Sequence, residues 1–445
     1  MNENNSHVSR RNFLKGSAAV TTVGSLAGCV LLEGDFGTEE IDGIPDEPFR
    51  IVQLLFESGP PAFYGEEARN ASEMLVEQIN DDGGLIGERE IEVVDRLDED
   101  AGPDSLISDV QAMAQEGEVD MIMGIVSSAH SLAVAPAADD QQLPFLVTMP
   151  GTYQLFEENP EMDHVVRTAG TNAAGAVGAV RMVEQMDDVE TVITVDPDYA
   201  WGHDHQEMFT AGLDAVGADV EVVESRYPEL GETDYSAHVS AIADESPDLL
   251  FSSLWGGDIS TFVSQGVAGG LFEAVDEALL IGDTGAPLLD SLGADMPENV
   301  WLGGRGGYQP NYRYDEDEAH REFVDEYYER YDQLPGWGAY HEWMGFEALQ
   351  EGVERAVQII GDWPTGEQLM ASMNNIAFEA PHGQHTMHGP QAVAPAVFGR
   401  PTDDHDLPVD HPLLGEFEFI EAAEVNPPEG VLTMDWVDEI EPMTG

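Results

Sequence analysis

From Phe49 to Gly282 short apolar runs alternate with segments of helical period, and this alternation constrains the fold more than any other feature of the chain. Ile51 to Phe56 has the length and composition of a strand. Gly65 to Asn80 then sets Ala68, Ala71, Leu75 and Ile79 on one helical face, and Asp81-Asp82-Gly83-Gly84 stops the helix. The scheme repeats with a strand at Ile91 to Val94, a helix at Asp104 to Glu116, a strand at Val119 to Ile125 and another at Leu143 to Val147. Strands joined through helices run parallel, and a parallel sheet needs cover on both faces. After a break at Ala169-Gly170 the pattern resumes, with strands at Thr191 to Val195, Val220 to Glu224, Leu249 to Ser253 and Leu279 to Gly282. Helices are expected between them at His205 to Val216, Tyr235 to Asp244 and Asp258 to Ala268. Two similar units imply two lobes with a cleft between them. Helices at Asp317 to Tyr331 and Met344 to Ile360 still need sheets to pack on, so the chain is expected to return to the first lobe near Val300 and to the second after about Ile360. The expected architecture is α/β, with two doubly wound parallel-sheet lobes joined by hinge crossovers. Lobe 1 would hold residues 49–168 plus about 300–360, and lobe 2 residues 169–299 plus about 361–445.

Charge decides which partners such a fold can have. The chain carries 88 acidic residues against 16 basic ones, a net charge of −72, and Lys15 is its single lysine. A polyanion partner needs a basic footprint, so nucleic acid is excluded, and so is electrostatic docking to anionic lipid. Apolar content of 42% with clear periodicity argues against a disordered acidic chain. The composition resembles that of proteins from extreme halophiles, in which salt near 1 M shortens the Debye length to roughly 3 Å and screens the self-repulsion.

The first 28 residues read as a targeting segment. Ser9-Arg10-Arg11-Asn12-Phe13-Leu14-Lys15 resembles a twin-arginine export signal, with Arg10 and Arg11 as its pair, and the apolar run from Ala18 to Ala27 is too short to span a bilayer. Leu26-Ala27-Gly28-Cys29 resembles a lipoprotein processing box, in which the Cys29 thiol is lipidated and becomes the mature N-terminus. As the only cysteine, Cys29 leaves no internal disulfide, thiolate metal site or redox pair. Residues 29–48, with glycine and proline among acids, read as a flexible acidic tether.

Arg69-Asn70-Ala71 through Gln78-Ile79-Asn80-Asp81-Asp82-Gly83-Gly84-Leu85-Ile86-Gly87-Glu88-Arg89 resembles the helix and turn of the type I periplasmic binding proteins that serve branched-chain amino acid ABC transporters. Ser58-Gly59-Pro60, Gly124 to Ser128, Asp198-Tyr199-Ala200-Trp201-Gly202 and Thr233-Asp234-Tyr235-Ser236 extend the resemblance, which runs from about Phe49 to Val397. It implies a ligand cleft built from loops at strand ends. Ser127 and Ser128, at a helix start, would hold the ligand carboxylate through hydroxyl and backbone N–H groups. Pro150, Gly151 and Thr152 would meet the polar head, although Pro150 has no N–H to donate. Tyr64, Trp201 and Trp255 would wall the ligand body. The family's ammonium-binding glutamate aligns with Thr284, while Asp283 stands one residue earlier, which opens the cleft to a neutral amide or urea-like ligand as well as to an apolar amino acid.

No enzyme signature is present. Gly170 to Gly178 lacks the lysine of a P-loop, no G-x-S-x-G elbow occurs, and Gly303-Gly304-Arg305-Gly306-Gly307 has the wrong spacing for a dinucleotide site. His203 and His205 flank an aspartate, and His382, His385 and His388 cluster on what reads as a loop, but neither spacing defines a metal site. The reading is therefore a monomeric, lipid-anchored extracellular receptor without cofactor, metal or catalysis. It would hand a small amino acid or amide to a membrane permease. The alternatives are a sensory receptor of the same fold and, more distantly, a metal-dependent hydrolase using the histidines.

Overall fold

The computed structural model describes residues 41, 43–59, 61–186, 188–282 and 286–443. Arg10, Arg11, Cys29 and nearly all of the tether lie outside the described residues, as do Asp283 and Thr284. Fifteen strands are described: β1 (Phe49–Leu55), β2 (Ile91–Asp98), β3 (Met121–Gly124), β4 (Phe145–Val147), β5 (Val165–Arg167), β6 (Thr191–Val195), β7 (Glu221–Arg226), β8 (Leu249–Ser252), β9 (Glu277–Leu280), β10 (Val300–Arg305), β11 (Ala377–Ala380), β12 (Gly383–His388), β13 (Gln391–Val393), β14 (Ala396–Thr402) and β15 (Leu413–Ile420). They form two sheets, in the orders β11-β12-β13-β5-β4-β3-β1-β2 and β15-β14-β10-β9-β8-β6-β7. The α/β two-lobe architecture is thus as expected.

Both sheets are mixed, not purely parallel. β1 to β5 pair in parallel, as do β6 to β10; late in the chain β13 joins β5 in parallel and carries β12 and β11 in antiparallel order, while β14 and β15 finish the second sheet antiparallel. This moves the lobe boundaries. Val300 does not mark a return to lobe 1, because β10 continues the second sheet in parallel register with β9. The return follows Arg305, and the helices Glu318–Tyr331 and Trp337–Ile360 then pack on Ala62–Asp81 in lobe 1. Nor does the chain leave lobe 1 after Ile360: β11, β12 and β13 extend the first sheet, and the passage back lies between Val393 and Ala396.

Within lobe 1 the strand pleat sends alternate residues to opposite layers. Ile51, Met121, Met123 and Leu146 pack with Met74 and Leu349. Val52, Leu54, Ile122, Phe145 and Val147 face the other way, onto Val110 and Val134. One polar pair interrupts the first layer. Glu342, fully buried on the helix Trp337–Ile360, accepts from Gln53 Nε2 at 2.9 Å and Thr148 Oγ1 at 3.3 Å. Burial pushes its carboxyl up to about 8, against the pull of those two hydrogen bonds. In lobe 2 the helix Asn172–Val183 is buried at every position. Its small residues, including Gly175 and Gly178, let it sit tightly against β10 and β14.

Candidate functional site

The chain passes between lobes at three neighbouring places: residues 168–171, the stretch after Arg305, and residues 393–396. Beside them lies a cleft of about 290 Å3, part of it open to solvent, lined by Tyr64, Val126, Ser128, Pro150, Gly151, Tyr199, Trp201, Trp255, Gly282, Arg305 and Trp337. Six of the residues expected from sequence are brought together here: Tyr64, Ser128, Pro150, Gly151, Trp201 and Trp255. Tyr64 of lobe 1 stacks on Trp255 of lobe 2 with ring centroids 5.9 Å apart, and its hydroxyl accepts from Gly256 N at 3.3 Å. The lobes therefore meet across the cleft mouth.

Two expected contacts are used otherwise. Ser127 is the N-cap of the helix Ser128–Asp140 and its Oγ accepts from His130 N. The Ser127 N–H, expected to help hold a ligand carboxylate, donates instead to the buried carboxylate of Glu99 at 2.7 Å, as does the neighbouring Val126 N–H at 2.8 Å. Glu99 brings its own negative charge to that helix start, which weakens it as an anion site. Thr152 is fully buried behind the cleft, and its hydroxyl donates to Asp204 Oδ2 at 2.9 Å. Pro150 does line the cleft, but its carbonyl faces Arg167 Nη1 at 3.4 Å.

Arg305, Trp337 and Tyr199 line the cleft without having been singled out. Arg305 ends β10, where the chain leaves lobe 2. Its Nη1 donates to Gly170 O at 2.7 Å, in the first crossover, and Nη2 to Met149 O at 2.8 Å, in lobe 1. The guanidinium lies 5.2 Å from the Trp201 ring centre and 5.5 Å from that of Trp337, so it sits between aromatic faces of both lobes. A Cβ on Gly151 would fall 2.5 Å from Arg305 Nη1, so only glycine leaves room for the guanidinium. The sequence signal for Arg305 was its four flanking glycines, a backbone of close approaches.

The cleft is rich in donors. The indole nitrogen of Trp337 has no hydrogen-bond acceptor, that of Trp255 is directed to the Tyr199 hydroxyl, and no acidic side chain is among the described lining residues. Tyr199, on the lobe 2 wall, is pushed up by burial and so remains a neutral phenol. The histidines are structural. His205 packs against Trp201 with ring centroids 4.1 Å apart, donates to Trp201 O, and is pushed down to about 3 by burial. His203 is exposed and pairs with Asp198. His382 and His385 touch at 2.9 Å, and His385 also meets Thr168 O at the first crossover. His385 and His388 lie on β12 and not on a loop. No group of three or more metal-ligating side chains is found among the described residues.

Two lobes joined at three adjacent crossovers, with an aromatic cleft between them, have the architecture of a bilobal ligand receptor. The chain belongs to the periplasmic binding protein family, whose profile matches residues 48–405. This is a family of binding proteins, not of enzymes. A twin-arginine translocation pathway signal matches residues 7–27, which supports export. The chain is 28% identical over 195 residues to the Leu/Ile/Val-binding protein BraC3 of Rhizobium johnstonii, a match spanning 44% of this chain and 51% of that one, about half its length. It is 23% identical over 347 residues to the Leu/Ile/Val-binding protein homolog 8 of Brucella abortus, covering 74% of this chain and 79% of that one. Among solved structures, a Rhodopseudomonas palustris ABC transporter solute-binding protein in complex with 3,4-dihydroxybenzoic acid has a TM-score of 0.71 at 24% identity, covering 84% and 98% of the two chains. The branched-chain amino acid transporter substrate-binding protein LivJ of Streptococcus pneumoniae, in complex with isoleucine, has a TM-score of 0.69 at 16% identity, covering 84% and 99%. At these identities the structures establish the fold.

Proposed function

We propose that this protein is the lipid-anchored, extracellular solute receptor of an ABC importer and that its ligand is a small carboxylate with a compact apolar body. The observation that carries the ligand class is the charge of the cleft: the Arg305 guanidinium stands between aromatic walls, and no acidic side chain is among the described lining residues. A buried guanidinium attracts an anion, and a flat or branched apolar body fills the space between the rings. The carboxylate would point toward Arg305, because Glu99 occupies the helix start at Ser127. Export is supported by the twin-arginine signal, and the anchoring reading rests on Cys29 just behind it in sequence.

A second reading, an apolar α-amino acid, is favoured by Asp283, which directly follows the cleft residue Gly282 in sequence and could receive an ammonium group. Calorimetric titration with benzoate, benzamide, leucine and isoleucine separates the cases. Benzoate should bind and benzamide should not, and Arg305→Gln should weaken benzoate by about ten- to a hundredfold. Leucine binding that is lost in Asp283→Asn would select the amino acid reading. Equal affinity for benzoate and benzamide would refute the carboxylate.

A further inference from the structure

The loop that carries Pro150 and Gly151 into the cleft belongs by connectivity to lobe 1, since it joins β4 to β5, yet most of its polar anchors lie in lobe 2. Thr152 Oγ1 donates to Asp204 Oδ2 at 2.9 Å and Gln154 Nε2 to Asp204 Oδ1 at 2.9 Å. Asn172 Nδ2, at the start of the buried lobe 2 helix, donates to the same Oδ2 at 3.0 Å. Asn172 also takes the loop from its other side: its N–H donates to Gly151 O at 2.6 Å and its Oδ1 accepts from Tyr153 N at 3.1 Å. Asp204 is 3% exposed and sits one turn beyond Trp201 on the helix Ala200–Val216, so one helical face presents both a cleft wall and the loop's anchor. Asp204 thus gathers three donors, and burial pushes its carboxyl up to about 6 against the pull of Thr152 and Asn172.

We propose that Asp204 is a positioning residue through which lobe 2 sets the ligand-facing loop of lobe 1, so that loop and Trp201 wall close on the ligand as one unit. This rests on the solute-receptor reading, but the geometry needs no particular ligand. Asp204 touches no ligand in this arrangement; it acts through Pro150 and Gly151. Its loss lowers affinity for every ligand by a similar factor and leaves the ranking among ligands unchanged, unlike the loss of a wall residue.

The test uses the full chain with Asp204→Ala, Asp204→Asn and Thr152→Val, the double variant Thr152→Val/Asp204→Ala, and Glu207→Gln as an exposed control on the same helix. Acrylamide quenching of tryptophan fluorescence without ligand, taken as the change from the parent, reads the enclosure of Trp201, Trp255 and Trp337 against a constant background from the four tryptophans outside the cleft. Benzoate titration reads affinity. Quenching should rise in Asp204→Ala and Thr152→Val, less in Asp204→Asn, which keeps one acceptor oxygen, and not in Glu207→Gln. Benzoate binding should weaken about tenfold in Asp204→Ala, with the double variant no worse than Asp204→Ala alone because Asp204→Ala already removes the Thr152 bond. Should benzoate fail to bind the parent, the ligand class fails while quenching still decides this proposal. Unchanged quenching in folded Thr152→Val, strictly additive losses, or a fall in unfolding midpoint with parental quenching would overturn it.

Discussion

Replacing Glu342 by glutamine should make the protein more stable at alkaline pH and leave it nearly unchanged in acid. The folded carboxyl is raised to about 8 from an ordinary 4.5, chiefly by burial. Between those values the unfolded chain has released a proton that the folded chain keeps. The stability Glu342 contributes is therefore fully present below about pH 4.5 and is lost as pH rises through 8. Each pKa unit is 1.36 kcal/mol, so the full displacement sets an upper bound of about 5 kcal/mol, and structural relaxation brings the expected effect to about 2–4 kcal/mol. Glutamine keeps both contacts, accepting from Gln53 Nε2 through its oxygen and donating to Thr148 Oγ1, but cannot ionise. Urea unfolding of parent and variant at about pH 5 and about pH 8.5, at constant salt, measures the difference. Buried His320 and His385, both lowered to about 4, act in the opposite sense, losing stability as pH falls below about 6.5. They are common to both proteins and cancel in the comparison. The variant should gain at alkaline pH alone. A constant offset at both pH values, or no alkaline gain, would refute the argument that Glu342 is held as a buried acid.

Two other outcomes follow from composition and targeting. Thermal unfolding followed by circular dichroism should show a clearly higher midpoint in about 3 M than in about 0.1 M KCl, because a net charge of −72 is screened only at high ionic strength; an equal midpoint would sink the salt argument. Cys29→Ser should release folded protein into the medium, and its retention in the membrane fraction after a high-salt wash would rule out the lipid anchor.

The parallel half of each lobe was legible because its strands are short apolar runs between amphipathic helices. Ile51 to Phe56, Leu143 to Val147 and Leu249 to Ser253 need no other information. The late strands were not legible for a physical reason. β12, Gly383 to His388, has one half-exposed face, carries His385 and Met387 inward, and contains no long apolar run, so its glycine and histidines read as a loop. β10 lies in a glycine-rich stretch, and only pairing with β9 assigns it to lobe 2. At the site, aromatic residues at strand ends identified three cleft walls. Arg305 escaped because its role depends on three chain segments converging around one side chain. The direction of the Thr152 hydroxyl depends on Asp204, fifty-two residues away.

The late strands also bear on how the molecule can assemble. Each sheet is completed by chain from beyond residue 376, so neither lobe exists as a contiguous stretch of sequence. A nascent chain that ends at Ile360 exposes the β5 edge of the first sheet, which β13 will cover, and the β10 edge of the second, which awaits β14. Open edges of this kind template pairing with other chains. Closing them requires long-range contacts, which form slowly. The expected behaviour is a single late folding step in which both lobes close together, and truncation before Gln391, which removes both covering strands, should therefore yield aggregation and not a functional half.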